Sequence, residues 1–253
     1  MEVIFLGTGT SQGVPMIGCD CAVCRSTDPR DTRLRPSILV RTAAATVLVD
    51  AGPDLRAQAL RHAVRRVDAV LFTHGHADHI LGIDDLRRFN AMAKAPMPCY
   101  GDARTLEDIR QTFRYAFDPG APKGGGLPAL DLHEVTGDVR VGDLTARPIP
   151  LWHGQRTILG YRVGDVAYLT DCNRIADEAW GRLEGLEVLV IDALRETPHP
   201  THFSLAEAIE AAQRIGARRT LFTHMCHHLA HEATNAKLPA GMSLAYDGLS
   251  LDL

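Results

Sequence analysis

Phe72-Thr73-His74-Gly75-His76-Ala77-Asp78-His79 places three imidazoles and one carboxylate within six residues. The run that leads into it, Asp68-Ala69-Val70-Leu71-Phe72-Thr73, is short, apolar and rich in β-formers, and reads as a buried strand. Gly75 loosens the backbone just beyond, which predicts that the histidines sit on a loop at the strand's carboxyl end. Imidazole and carboxylate are the ligands a divalent transition metal takes where no thiolate is near. The H-x-H-x-D-H pattern therefore points to a metal rather than to a polar loop.

Three more candidates share this setting at or just past a β-like run: His153 in Leu151-Trp152-His153-Gly154, Asp171 in Tyr168-Leu169-Thr170-Asp171, and His224 in Leu221-Phe222-Thr223-His224. Strand-end loops are where a rigid scaffold converges groups from distant parts of a chain. Seven ligands are too many for one ion and suit two, about 3.5–4 Å apart, which is the arrangement of metal-assisted hydrolysis. A second cluster, Cys19-x-Cys21-x-x-Cys24, puts three soft ligands within six residues and suits a single zinc that takes its fourth ligand elsewhere.

The rest of the chain supplies the frame. Strands are expected at Val3–Leu6, Ser37–Val40, Thr46–Val49, Met97–Tyr100, Leu130–Val135, Leu144–Pro148, Ile158–Val163, Val166–Thr170, Val188–Ile191 and Thr220–Thr223, with a last hairpin over Leu244–Leu253. Helices are expected at Leu55–Val64, capped by Asp54, and at Asp84–Met92, Leu106–Phe117, Ala176–Leu183 and Leu205–Ile215. Ser204 and Glu207 form a capping box for the last of these. Strand-rich halves with interleaved helices predict an α/β fold in four layers, two mixed sheets face to face with helices outside. The Gly- and Pro-rich segment Asp118–Pro128 reads as a surface loop rather than a domain linker. Gly7-Thr8-Gly9-Thr10-Ser11-Gln12-Gly13 is no dinucleotide loop, since the third glycine is misplaced and no helix pattern follows.

Composition narrows the class. The chain has 253 residues, a net charge of −4, 45% hydrophobic and 23% charged residues. That charge offers no global attraction to nucleic acid or to an anionic membrane. No apolar run approaches the ~20 residues of a membrane span. The N-terminus lacks the basic segment and cleavage site of a signal peptide, so a cytoplasmic enzyme is expected.

These motifs resemble the metallo-β-lactamase superfamily over essentially the whole chain, including Gly7-Thr8-Gly9-Thr10. The resemblance implies an αββα sandwich formed as one domain over residues 1–253. It implies that His74, His76 and His153 hold a first metal, that Asp78, His79 and His224 hold a second, and that Asp171 bridges them. An aspartate rather than a thiolate at 171 resembles the dinuclear phosphodiesterase branch. Cys172 is adjacent but would point away on an extended strand.

The cysteine spacing and the Gly-rich start resemble the PhnP-like phosphodiesterases, the phosphoribosyl cyclic phosphate branch. That resemblance implies Cys19, Cys21, Cys24 and His227 as a structural zinc site stapling two loops, with Cys226 and His228 as rivals for the fourth position. It implies that His202 protonates the leaving oxygen, with His199 competing. It implies two divalent ions, Mn²⁺ or Zn²⁺, a small phosphodiester as substrate, no stable nucleic-acid partner, and a homodimer. Arg87 and Arg88, in the stretch Ile83–Asn90 that departs from the PhnP pattern, either face a phosphate or lie on a solvated helix surface. The rival readings are a ribonuclease Z-like nuclease, a PqqB-like cofactor-biosynthesis protein and a non-catalytic metal-binding protein.

Overall fold

A computed structural model describes residues 1–120 and 126–253. The expected loop over Asp118–Pro128 therefore falls in part outside the described residues. The first sheet is built from β1 (Glu2–Gly7), β2 (Ser37–Arg41), β3 (Thr46–Val49), β4 (Ala69–Leu71), β5 (Met97–Gly101) and β6 (Leu130–Glu134). The second holds β7 (Val139–Val141), β8 (Leu144–His153), β9 (Arg156–Val163), β10 (Val166–Leu169), β11 (Arg174–Ile175), β12 (Val188–Asp192), β13 (Arg219–Thr223) and β14 (Met242–Leu244). The last strand, β15 (Ser250–Asp252), returns to the first sheet beside β1, so that sheet runs β15-β1-β2-β3-β4-β5-β6. The second runs β11-β8-β9-β10-β12-β13-β14, with β7 paired to β8.

Alternation along each strand builds the layers. Val3, Phe5, Val47 and Val49 point between the sheets, where they meet Tyr161, Tyr168, Val190 and Leu221. Their neighbours Ile4, Leu6, Leu48 and Val70 point outward, onto α1 (Leu55–Arg61), α2 (Ala77–Ile80), α3 (Leu86–Ala93) and α4 (Ala103–Thr112). The short α5 (Arg114–Phe117) follows α4. On the far side, Leu189, Ile191 and Phe222 pack against α6 (Leu205–Ile215), and α7 (His231–Asn235) leads toward β14. Each fully buried aliphatic or aromatic side chain contributes roughly 1.5–3 kcal/mol. The fold is thus the expected sandwich of two mixed sheets with helices outside.

Several local expectations differ. The histidine motif is not all loop: Ala77–Ile80 makes one helical turn after His76 in extended backbone, and this turn rotates Asp78 and His79 inward while His76 stays exposed. Asp54 does not cap α1, because its carboxylate is taken by the Arg35 backbone N–H at 2.9 Å and faces the Arg35 guanidinium at 3.3 Å. The helix stops at Arg61 because Ala63 has φ +49°. The expected helix over Leu106–Phe117 starts earlier, at Ala103, where Asp102 accepts a hydrogen bond from the Thr105 N–H at 2.7 Å, and it breaks at Phe113. Ala176–Leu183 winds as a 3-10 helix over Asp177–Leu183. Leu244–Leu253 forms no hairpin, since β14 pairs with β13 in one sheet and β15 with β1 in the other. Among the described residues no helix is long and apolar enough to cross a membrane.

Candidate metal centre

β8, β10, β12 and β13 run parallel to one another through β9, so their carboxyl ends share one edge of the second sheet. The strand before the histidine motif is stitched to that sheet. The Leu159 N–H donates to the Thr73 carbonyl at 3.0 Å, and the Tyr161 hydroxyl to the Phe72 carbonyl at 2.9 Å. Seven side chains converge at this edge. The ligand atoms of His74, His76, His153 and Asp171 lie within 4.8 Å of one another, as do those of Asp78, His79, Asp171 and His224. Asp171 belongs to both groups. Its Oδ2 lies 3.4 Å from His74 Nε2 and 3.0 Å from His79 Nε2, and its Oδ1 lies 2.8 Å from His224 Nε2.

Backbone strain aims these groups. Asp50, Asp171 and His224, each just past a strand end, have φ of +63°, +57° and +60°. Non-glycine residues rarely adopt this region, and such outliers cluster at functional sites. Cys172 is buried in the hydrophobic core behind the centre and does not join it.

A second ring of contacts orients the histidines. Asp50 receives the His79 Nδ1–H at 2.7 Å, the Thr73 N–H at 2.8 Å and the Thr73 hydroxyl at 2.8 Å. His153 Nδ1 donates to the Thr201 carbonyl at 2.9 Å. His202 Nδ1 donates to Asp192 Oδ2 at 3.0 Å, which leaves its Nε2 free, and its ring stacks on His224 with centroids 4.8 Å apart and planes 11° off parallel. Sequence reasoning missed Asp50 and Asp192 as site residues, although Val-Asp50 and Ile-Asp192 carry the same strand-then-aspartate signal as Asp171.

The donor set fits divalent metal. His74 Nε2 and both nitrogens of His224 are buried with no hydrogen-bond partner, and His224 Nε2 lies 2.8 Å from a carboxylate oxygen yet is misaligned for a hydrogen bond. Buried nitrogens left without partners are costly unless something else meets their lone pairs. Without metal the charges lean on one another. Burial opposes the charge of His224, but Asp171 and Asp78 outweigh it and raise the imidazolium to about 10. His79 is raised in the same way against its burial, by Asp171, Asp78 and Asp50. Burial pushes Asp78 and Asp171 up, and the neighbouring imidazoles overcome this and hold both below the ordinary carboxylate value. His153, desolvated, falls to about 4 and is a neutral donor at pH 7.

At the other cluster Cys19, Cys21, Cys24 and His227 present ligand atoms within 4.8 Å of one another. His227 Nδ1 lies 3.2 Å from the Cys19 sulfur and 3.3 Å from that of Cys21. Hydrogen bonds from the Cys24 amide and the His227 ring lower the Cys21 thiol to about 6. Of the rivals, Cys226 is buried and its carbonyl accepts from the Arg33 guanidinium at 3.0 Å, while His228 is exposed; neither joins the cluster. Arg87 pairs with Asp84 at 3.0 Å on the surface of α3, Arg88 lines a groove against α1, and neither is brought to the metal centre.

The family model described as "Beta-lactamase superfamily domain" matches residues 45–225. The chain belongs to this superfamily. A solved diphosphatase from the PhnP family is 44% identical with a TM-score of 0.93, covering 100% of this chain and 97% of that one. Zn²⁺-bound PqqB from Methylobacterium extorquens, at 20% identity and TM-score 0.82 over 100% of both chains, shares the fold. A protein of Porphyromonas gingivalis named octanoyltransferase is 40% identical over 254 residues, which is 98% of this chain and 51% of that protein. The chain thus spans about half the length of that relative. The superfamily fold and the His/Asp groups at its strand ends make this chain a metal-dependent hydrolase.

Proposed function

We propose that this chain hydrolyses a small phosphodiester, with His74, His76 and His153 holding one divalent ion, Asp78, His79 and His224 a second, and Asp171 bridging the two. The observation that carries the reading is the double reach of Asp171, whose two oxygens face imidazoles of both groups. When bound, a pair of Mn²⁺ or Zn²⁺ ions supplies a water of lowered pKa and Lewis-acid contacts for the phosphoryl oxygens; the mixed N/O donors suit either ion. Asp50 and Thr73 fix the orientation of His79, and Thr201 fixes that of His153. Water adds its oxygen to phosphorus as the bond to the leaving oxygen breaks. His202, anchored through Nδ1 to Asp192, gives its Nε2 proton to that oxygen. Cys19, Cys21, Cys24 and His227 hold a separate structural zinc in this reading.

Hydrolysis of a diphosphate bridge is the second reading, favoured by the 44%-identical structure that is named a diphosphatase. Both substrates present a phosphorus with two bridging oxygens. A panel of cyclic ribosyl phosphates, dinucleotides, diphosphate-bridged dinucleotides, RNA and thioesters, run on metal-replete protein, separates them. Asp78→Ala should abolish hydrolysis of bis(p-nitrophenyl) phosphate and lower the bound metal from three ions per chain to two by elemental analysis, with the fold intact by circular dichroism. Unchanged turnover would sink the dinuclear assignment.

A further inference from the structure

A groove of about 310 Å³ separates α1 from α3 in the helical layer outside the first sheet. Ala59 and Ala63 leave it open, because neither side chain extends past Cβ. Leu55, Val64 and Phe89 form its floor and are buried, while Leu60 and Met92 stand on its walls 67% and 42% exposed. Phe89 and Met92 are three residues apart on α3 and so share one helix face. Single exposed apolar residues are ordinary, but a contiguous apolar concavity marks a place where something binds.

The rim is basic. The groove and the two cavities that adjoin it along α3 are lined by Arg56, Arg65, Arg66, Arg87, Arg88 and Lys94, against two carboxylates, Asp68 and Asp85. The whole chain carries −4, so this face is opposite in sign to the molecule. Arg66 pairs with Asp68 and Arg87 with Asp84, whereas Arg56, Arg65 and Arg88 have no ion-pair partner among the described residues. Unpaired like charges around an apolar groove are relieved by a partner of the other sign, and that complementarity selects the occupant. A second copy seated on the same face would set arginine against arginine. A bilayer takes up side chains that protrude, and this floor is recessed. Nucleic acid offers no aliphatic surface to Leu60 and Met92. An acidic amphipathic helix supplies both halves, an apolar face for the groove and carboxylates for the rim.

We propose that the groove between α1 and α3 docks an acidic amphipathic helix of another protein, its apolar face against Leu60, Phe89 and Met92 and its carboxylates on Arg56, Arg65 and Arg88. The proposal stands whichever substrate the metal centre hydrolyses. Its test uses fluorescein-labelled helical peptides of about 15 residues, with leucine along one face and either glutamate or lysine along the other. Fluorescence anisotropy on metal-replete protein should show saturable binding of the glutamate peptide, at least tenfold tighter than that of the lysine peptide. Leu60→Asp and Met92→Asp should each weaken it at least tenfold, and Arg56→Glu combined with Arg88→Glu should reverse the preference between the two peptides. No saturable binding of the glutamate peptide, equal binding of both, or binding unchanged in Leu60→Asp overturns the proposal. A dimer in sedimentation velocity that Leu60→Asp converts to monomer gives the groove to a second copy. Cosedimentation with phosphatidylglycerol vesicles that Leu60→Asp abolishes gives it to a membrane. Either result also overturns the proposal. Equal metal content and Tm in the variants exclude misfolding.

Discussion

At the scale of single residues, the strand-end aspartates divide the labour. Asp171 faces the histidines directly, whereas Asp50 and Asp192 stand behind His79 and His202. If His202 protonates the leaving oxygen, its importance must track how badly that oxygen needs a proton. His202→Ala should slow substrates with alkoxide leaving groups by about 10²–10⁴-fold in kcat, while p-nitrophenolate, a stable anion, should lose far less. Plotting kcat against leaving-group pKa for both proteins checks this; parallel lines would remove His202 from the proton transfer. The directly facing groups were legible because histidine and aspartate after an apolar run form a local pattern. Asp50 and Asp192 carry the same strand-then-aspartate signal, but their roles depend on which loop lies across from them, and that is fixed only by the sheet order.

At the scale of elements, the turn carrying Asp78 and His79 sits against the loop after β3 with no room to spare. A Cβ on Gly52 would lie 2.1 Å from the Asp78 carbonyl oxygen, and one on Gly82 would lie 2.0 Å from the Gly52 carbonyl oxygen. Gly52→Ala should therefore destabilise the protein by about 2–4 kcal/mol, read by urea denaturation, and should lower metal content as well because the turn must shift. The boundaries that sequence reading misplaced share a cause of the same kind. Asp54 is a sound cap by local rules, yet Arg35, nineteen residues earlier, takes its carboxylate. The stretch Leu244–Leu253 looks like a hairpin, but the edges of two different sheets claim its strands.

At the scale of the whole molecule, the candidate centre links stability to pH. In the metal-free protein His79 and His224 are raised above 6.5, so their pairing with carboxylates stabilises the fold fully below pH ~6.5 and fades as pH rises through the folded values, about 10 for His224. Asp78 and Asp171 are depressed, so their contribution is present above pH ~3.8 and is lost as pH falls below it. The Tm of chelator-treated protein should decline from pH 7 to pH 10, and that of metal-loaded protein should hold across the same range, because an ion replaces the protons. Scanning fluorimetry across that range checks both arms. A different consequence follows from β15, which closes the first sheet by pairing Ser250, Leu251 and Asp252 with Ile4, Val3 and Glu2. β15 lies more than 240 residues after β1 in the sequence, so during synthesis β1 waits long for this neighbour. One flank of the first sheet thus stays open to pairing with other nascent chains until residues 250–252 have left the exit tunnel.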